Sequence, residues 1–87
     1  MVIVSPNPFK DSTEISINGG YHLKTLKISI LRRNGQAVMV FIPKKIPFKL
    51  KKGDLTPGIY YVRCIDKYGR IPSKKITLKG LVDEEGE

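Results

Sequence analysis

The residue types that most often carry chemistry are few in this sequence and stand far apart. The one histidine, His22 in GGYHLK, has no partner spaced for metal binding, which needs three or four converging ligands. The one cysteine, Cys64, lies within YYVRCI, where a small buried apolar side chain is expected. The carboxylates are too scattered to pair for acid–base catalysis, and neither a nucleophile elbow nor a phosphate-binding glycine loop is present. We therefore expect a non-enzymatic protein that uses no metal and no cofactor.

Positive charge is the main compositional feature of the chain. The net charge is +8, from 16 Lys and Arg against 8 Asp and Glu. Four of the acids lie in the last five residues, so residues 1–80 hold 16 positive and 4 negative charges, a balance of +12. We expect one domain over residues 1–80, followed by an acidic, disordered tail over residues 81–87.

The lysines concentrate in one stretch, and a second group near the end of the chain could join it in space. An anionic partner such as a nucleic acid or a polysaccharide is one hypothesis for this patch. RNA-binding proteins add exposed aromatic residues for base stacking, whereas the seven aromatic residues here lie mostly in strands or beside turns. We therefore expect solvated strand faces and no specific nucleic-acid partner. The lysines concerned are Lys44, Lys45, Lys49, Lys51 and Lys52, and then Lys74, Lys75 and Lys79.

Apolar and polar residues alternate with a period of two along most of the chain. TEISI, LKISILR and KKITLKG each place their apolar residues on one face, as a half-buried strand does. QAVMVFI and GIYYVRCI are denser in apolar and β-branched residues, which is typical of central strands. No apolar run approaches the ~18 residues of a membrane-spanning helix. The pattern predicts an all-β, immunoglobulin-like antiparallel sandwich of about seven strands, near residues 2–4, 12–18, 24–32, 36–42, 47–51, 59–66 and 70–79.

Turn residues separate these predicted strands. Asn34-Gly35 predicts a type I′ hairpin, because both residues accept positive φ. In LTPGIY, the Pro57-Gly58 turn followed by Tyr60 predicts a tyrosine corner, in which the phenol bonds to backbone a few residues upstream. The prolines and lysines of PKKIPFKLKKG and RIPSKK predict edge strands that resist unwanted pairing.

The stretch VSPNPFKDS precedes the first long strand. Pro6 and Pro8 each fix their own φ and favour an extended residue before them. Asn7 can close an Asx-turn, and Phe9 can then fold under the sheet and close one end of the sandwich. We expect this stretch to be a rigid entry into the strand.

Taken in order, three stretches resemble a known family. VSPNPFKDSTEISI, LKISILRRNGQAV and LTPGIYYVRCIDKYGRIPSKKITLK follow one another as in the type A C-terminal sorting domain of type IX (Por) secretion substrates. The resemblance covers Val4 to Lys79. The family's motif positions correspond here to Pro6, Asn7 and Pro8, to Gly35, to Gly58 and Tyr60, and to Lys74, Lys75, Ile76, Thr77 and Leu78.

The resemblance implies a non-catalytic sorting domain. Such a domain is a covalent part of a larger cargo protein, passes through the periplasm and is read by an outer-membrane translocon. By this resemblance, a sortase-like peptidase commonly removes it afterwards and can link the cargo to lipopolysaccharide. The expected location is the cell exterior or the cell surface. Lysines at the edge strands argue against spontaneous stacking, although a strand-paired or swapped dimer stays open.

One departure from the family keeps an alternative open. The family normally ends within a residue or two of its last strand, whereas GLVDEEGE follows Lys79 here. Similar PNPF openings occur in immunoglobulin-like modules that serve a structural role. The alternative is thus a structural immunoglobulin-like or fibronectin-like accessory module of an extracellular multidomain protein, with glycans as candidate contacts.

Overall fold

A computed structural model describes residues 1–80, so the predicted acidic tail over 81–87 lies outside the described residues. The described chain is all-β, as predicted, and each strand begins and ends within three residues of its predicted limits. Residues Leu23–Thr25 instead form one turn of 3₁₀-helix, and this is not long enough to cross a membrane. The strands are β1 (Val2–Ser5), β2 (Ser12–Ile17), β3 (Lys27–Leu31), β4 (Ala37–Phe41), β5 (Phe48–Lys51), β6 (Gly58–Asp66) and β7 (Gly69–Leu78).

The strands form two antiparallel sheets that share one hydrophobic core. One sheet has the order β1-β2-β5, and the other has the order β4-β3-β6-β7. Ile15 and Leu50 of the first sheet and Ile28, Val62 and Ile76 of the second belong to the same buried cluster. Alternation places these residues inward, because successive strand side chains point to opposite faces.

The two apolar-rich segments occupy different positions in the four-stranded sheet. Strand β6 lies between β3 and β7, so the prediction that GIYYVRCI is a central strand is confirmed. Strand β4 pairs only with β3 and lies at the edge, so the same prediction for QAVMVFI is wrong. Composition indicates a strand's affinity for apolar surroundings, but it does not specify which strands flank it.

Pro72 lies at a bulge in the outer strand β7. Val62 pairs with Lys74 and Cys64 with Ile71, so Arg63 alone faces Pro72 and Ser73. The extra residue lets both Ile71 and Ile76 pack on the core despite their odd spacing. A proline that lacks an N–H is tolerated at such a position, which agrees with the predicted edge strand.

The β3–β4 connection is a hairpin, but it is not of type I′. The N–H of Gly35 donates to the carbonyl of Arg32, which places Arg33 and Asn34 at the centre of the turn. Among the described residues only glycines have positive φ, and Gly35 has φ +92°. The loop therefore has three residues and ends on a glycine, the next most common hairpin connection. The side chain of Asn34 accepts a hydrogen bond from the N–H of Gln36, and the backbone of Asn34 does not adopt the positive φ that a type I′ turn requires.

Candidate functional site

The side chain of Asn7 bonds to the outer edge of β7. Its Nδ2 donates to the carbonyl oxygen of Lys75 at 3.1 Å, and its Oδ1 accepts from the N–H of Thr77 at 3.0 Å. The side-chain amide therefore occupies the place of a peptide group in a neighbouring strand. The flanking Pro6 and Pro8 are exposed, and both of their X–Pro bonds are cis. Two motifs that lie about seventy residues apart are thus in direct contact.

The backbone of Phe9 continues this pairing. Its N–H donates to the carbonyl of Thr77 at 3.0 Å, and its own carbonyl accepts from the N–H of Lys79 at 2.8 Å. These bonds form a parallel bridge with Leu78. The side chain of Phe9 is 1% exposed and belongs to the core, as predicted. The predicted Asx-turn at Asn7 is absent, because Phe9 N–H and Asn7 Oδ1 both bond to Thr77 instead.

A hydrogen bond from β2 also holds the Pro-Asn-Pro segment, in addition to its bonds with β7. Thr13 Oγ1 donates to the carbonyl of Pro6 at 2.7 Å, and Thr13 is buried. Sequence reasoning did not single out Thr13. Within TEISI it has the features of an ordinary strand residue, so no local pattern could have identified this contact.

The predicted tyrosine corner is confirmed beside this segment. Tyr60 Oη donates to the carbonyl of Thr56 at 2.6 Å, and Tyr60 is 3% exposed. Tyr60 pairs with Ile76 across the sheet, and Gly58 pairs with Leu78. Gly58 has φ +150° and open space where a Cβ would lie, so its backbone conformation rather than crowding favours glycine. The two positions therefore support the C-terminal half of β7 from inside the sheet.

The motif residues consequently lie together at one end of the molecule. The Pro-Asn-Pro segment covers the outer edge of β7, and the start of β6 covers the inner edge. The hairpin that contains Gly35 reaches the same end, where Arg32 to Asn34 and Thr56 to Tyr60 line a cleft of about 350 Å³. We call this set of residues the motif end: Pro6, Asn7, Pro8, Phe9, Gly58, Tyr60 and Lys74 to Leu78.

Exposure divides the motif end into two groups. Pro6, Asn7, Pro8 and Lys75 are exposed, and Lys74 and Thr77 are partly accessible. Tyr60, Ile76 and Leu78 are 3%, 0% and 2% exposed, so a partner cannot touch them without unfolding the domain. The first group can contact another protein, whereas the second group positions it.

The predicted lysine patch is divided between the sheets. Lys49 and Lys51 lie on β5 of the three-stranded sheet, whereas Lys74 and Lys75 lie on β7 of the other sheet. Lys52 of the first group and Lys79 of the second line one cleft of about 620 Å³ together with Leu55 and Leu78.

The residue types that most often carry chemistry are found away from the motif end, at His22, Asp66 and Cys64. The N–H of His22 donates to Asp66 Oδ2 at 2.7 Å, and this bond, with one from Tyr68 N–H, lowers the pKa of the Asp66 carboxyl. Burial raises the pKa of the Cys64 thiol to about 11, which makes it a poor nucleophile. Within residues 1–80, three or more His, Cys, Asp or Glu side chains never gather closely enough to hold a metal ion.

The family model of the secretion system C-terminal sorting domain matches residues 4–79. A comparison with curated proteins gave no match. The family match extends over nearly the whole described chain and includes every residue of the motif end. The chain belongs to the family of type IX secretion C-terminal sorting domains. The family is a sorting signal rather than a catalytic family, and it belongs to proteins that are secreted or attached to the cell surface.

Proposed function

We infer that this domain directs a larger protein, of which it is a covalent part, through the outer membrane by a type IX secretion system. The observation that carries this proposal is the convergence of the family's separate motifs at the motif end. A set of short motifs in an extended chain would offer several weak contacts in variable geometry. Their assembly on one rigid surface lets a receptor bind them together, at a lower entropic cost.

In this proposal the translocon recognises a folded, immunoglobulin-like sandwich. The strand order supports it: β1, β2 and β5 form one sheet while β3, β6 and β7 belong to the other, as in that architecture. The fourth strand joins β3 rather than β5, which gives sheets of three and four strands. The translocon would thus recognise the domain only after the domain has folded.

In this proposal the exposed residues of the motif end contact the receptor. Pro6, Asn7 and Pro8 form a rigid, uncharged ridge, and Lys75 adds positive charge beside it. The receptor therefore presents a carboxylate opposite Lys75, which lies on the outer face of the sheet beside Tyr61. Gly58, Tyr60, Ile76 and Leu78 keep β7 in position and make no receptor contact. A sortase-like peptidase would act after recognition, at the junction with the cargo.

The experiment is an export assay with a reporter protein fused to residues 1–80 in a bacterium that has the type IX machinery. Asn7→Ala removes both side-chain bonds to β7, at a cost of about 1 kcal/mol because the site is exposed. The matched control is Thr25→Ala at the far end of β6, which removes the hydrogen bonds of Thr25 Oγ1 with Lys67 N–H, with His22 Nδ1 and with the His22 carbonyl. Melting temperatures of both purified domains verify that the losses of stability are comparable.

We expect Asn7→Ala to retain the reporter in the periplasm and Thr25→Ala to export it. Equal export by the two variants would contradict recognition at the motif end. If the unaltered fusion stays periplasmic while another sorting domain of the class is exported, the sorting proposal itself fails. The accessory structural module would then be the better interpretation.

A further inference from the structure

Strand β4 is an edge strand without the usual protection. Its sequence, Ala37–Phe41, contains neither a charged residue nor a proline, although its outer edge is unpaired. Val40 is 53% exposed, and Ile42 just beyond it is 66% exposed. Edges of this kind are templates for pairing with another chain, and proteins ordinarily block them.

The other edges of the two sheets are blocked by recognisable means. The C-terminal half of β7 is covered by Asn7 and Phe9, and Pro72 interrupts its other half. Strand β5 carries Lys49 and Lys51 and follows Pro47. Strand β1 is only four residues long and lies against β7. Because three edges are protected, the unprotected edge of β4 is a feature to be explained by function.

A cleft on the inner side of β4 could receive side chains from an added strand. It has a volume of about 420 Å³, and its apolar lining includes Val38, Met39 and Leu55. A strand paired with the free edge of β4 would direct every second side chain toward the inner side of the sheet. Apolar side chains at alternate positions would therefore reach this cleft.

Charge at the two ends of β4 specifies the occupant. Arg32 and Arg33 precede the strand, Lys44 and Lys45 follow it, and all four side chains are exposed. A second copy paired antiparallel about Met39 would place Arg33 beside Lys45 of the other copy at both ends. Like charges that face each other across strands are destabilising, and residues 1–80 already carry a balance of +12. An added strand with carboxylates at both ends would instead meet opposite charge.

We propose that the free edge of β4 binds an extended segment of a partner protein that has alternating apolar residues and acidic residues at both ends. Backbone hydrogen bonds to β4 supply affinity, and the cleft and the flanking cations supply selectivity. Tyr60 lines the cleft and also belongs to the motif end, but the free edge of β4 contains no residue of the motif end. Binding at this edge therefore does not depend on the role proposed for the motif end.

The test uses the full 87-residue chain and the synthetic peptide Glu-Glu-Leu-Thr-Leu-Thr-Leu-Glu-Glu as the probe. Titration measures its dissociation constant, and amide hydrogen exchange identifies the strand that gains protection. Arg33→Glu combined with Lys45→Glu brings the net charge at each end of β4 from +2 to zero, because Arg32 and Lys44 remain. Lys67→Glu combined with Arg70→Glu makes the same change in net charge at two exposed residues of the β6–β7 hairpin and serves as the control.

We expect protection confined to residues 37–41 and binding weakened about tenfold by the β4 pair of substitutions. The control pair should leave binding unchanged, and a peptide with Gln in place of Glu should bind the β4 variant and the unaltered domain equally. Absence of binding at peptide concentrations up to about 1 mM would overturn the proposal. Protection at β5 or β7 would also overturn it, as would a concentration-dependent dimer of the domain with β4 at its interface.

Discussion

The tyrosine corner provides a stability prediction that can be separated from sorting. Tyr60→Phe removes only the phenol oxygen, so the buried ring keeps its place in the core. The lost oxygen donates to the carbonyl of Thr56 at 2.6 Å and lies 3.3 Å from Thr56 Oγ1. The substitution therefore removes the bond that ties the β5–β6 connection to β6.

The expected cost follows from the environment of the two partners. A net hydrogen bond contributes about 0.5–1.5 kcal/mol, and an acceptor left unsatisfied adds to the loss. Thr56 is exposed, so water can reach its carbonyl and limit that addition. We expect unfolding free energy to fall by about 1.5 kcal/mol, which lowers the melting temperature of a domain of this size by about 6–12 °C.

Tyr61→Phe is the matched control. Tyr61 is the next residue, is half-buried, and points away from the core on the outer face of the sheet. Urea unfolding and calorimetry should show a change of at most about 0.5 kcal/mol in this variant. Equal stability of the Tyr60 and Tyr61 variants would refute the argument that the corner bond supports this connection. At temperatures well below its midpoint, Tyr60→Phe should still export the reporter, because receptor contact is assigned to exposed residues.

Two further substitutions examine the core and the far end of β6. Phe9→Ala should lower unfolding free energy by about 3–5 kcal/mol, because a fully buried ring leaves a cavity between β7 and the core; a loss below about 1 kcal/mol in urea unfolding would show that Phe9 does not close the sandwich. The hydrogen bond from His22 N–H, and then that from Tyr68 N–H, hold the pKa of Asp66 below its ordinary value of 3.8. Its ionised form therefore contributes stability above that value, and the contribution disappears as pH falls through the folded-state pKa. Asp66→Asn should flatten this acid dependence in melting curves recorded between about pH 6 and pH 2, and an unchanged slope would contradict the assignment.

Local patterns predicted much of the fold because their causes are local. Alternation in TEISI and KKITLKG predicted the buried faces of β2 and β7, and both are confirmed by the burial of Ile15, Ile76 and Leu78. LTPGIY predicted the corner bond of Tyr60, because donor and acceptor are only four residues apart. The type I′ turn was wrong, since the alternative three-residue loop uses the same glycine and differs only in how β3 and β4 are aligned.

The motif end required information that no short segment contains. The Asn7 side chain was predicted to bond within its own turn. The backbone of β7 instead provides an acceptor, the Lys75 carbonyl, and a donor, the Thr77 N–H, at the spacing that the side-chain amide needs. A local turn and a distant strand edge satisfy the same side chain equally well as far as the sequence indicates. The position of β7 beside the segment decided between them.

Sequence alone determined that this chain is all-β, where its strands and turns lie, which side chains face inward, and that it resembles a sorting domain. These properties depend on the chemistry of residues a few positions apart. Only the tertiary structure decided that the separate motifs form one surface and that β4 has a free edge. Both depend on which strands become neighbours, and that is set by the packing of the whole core rather than by any segment.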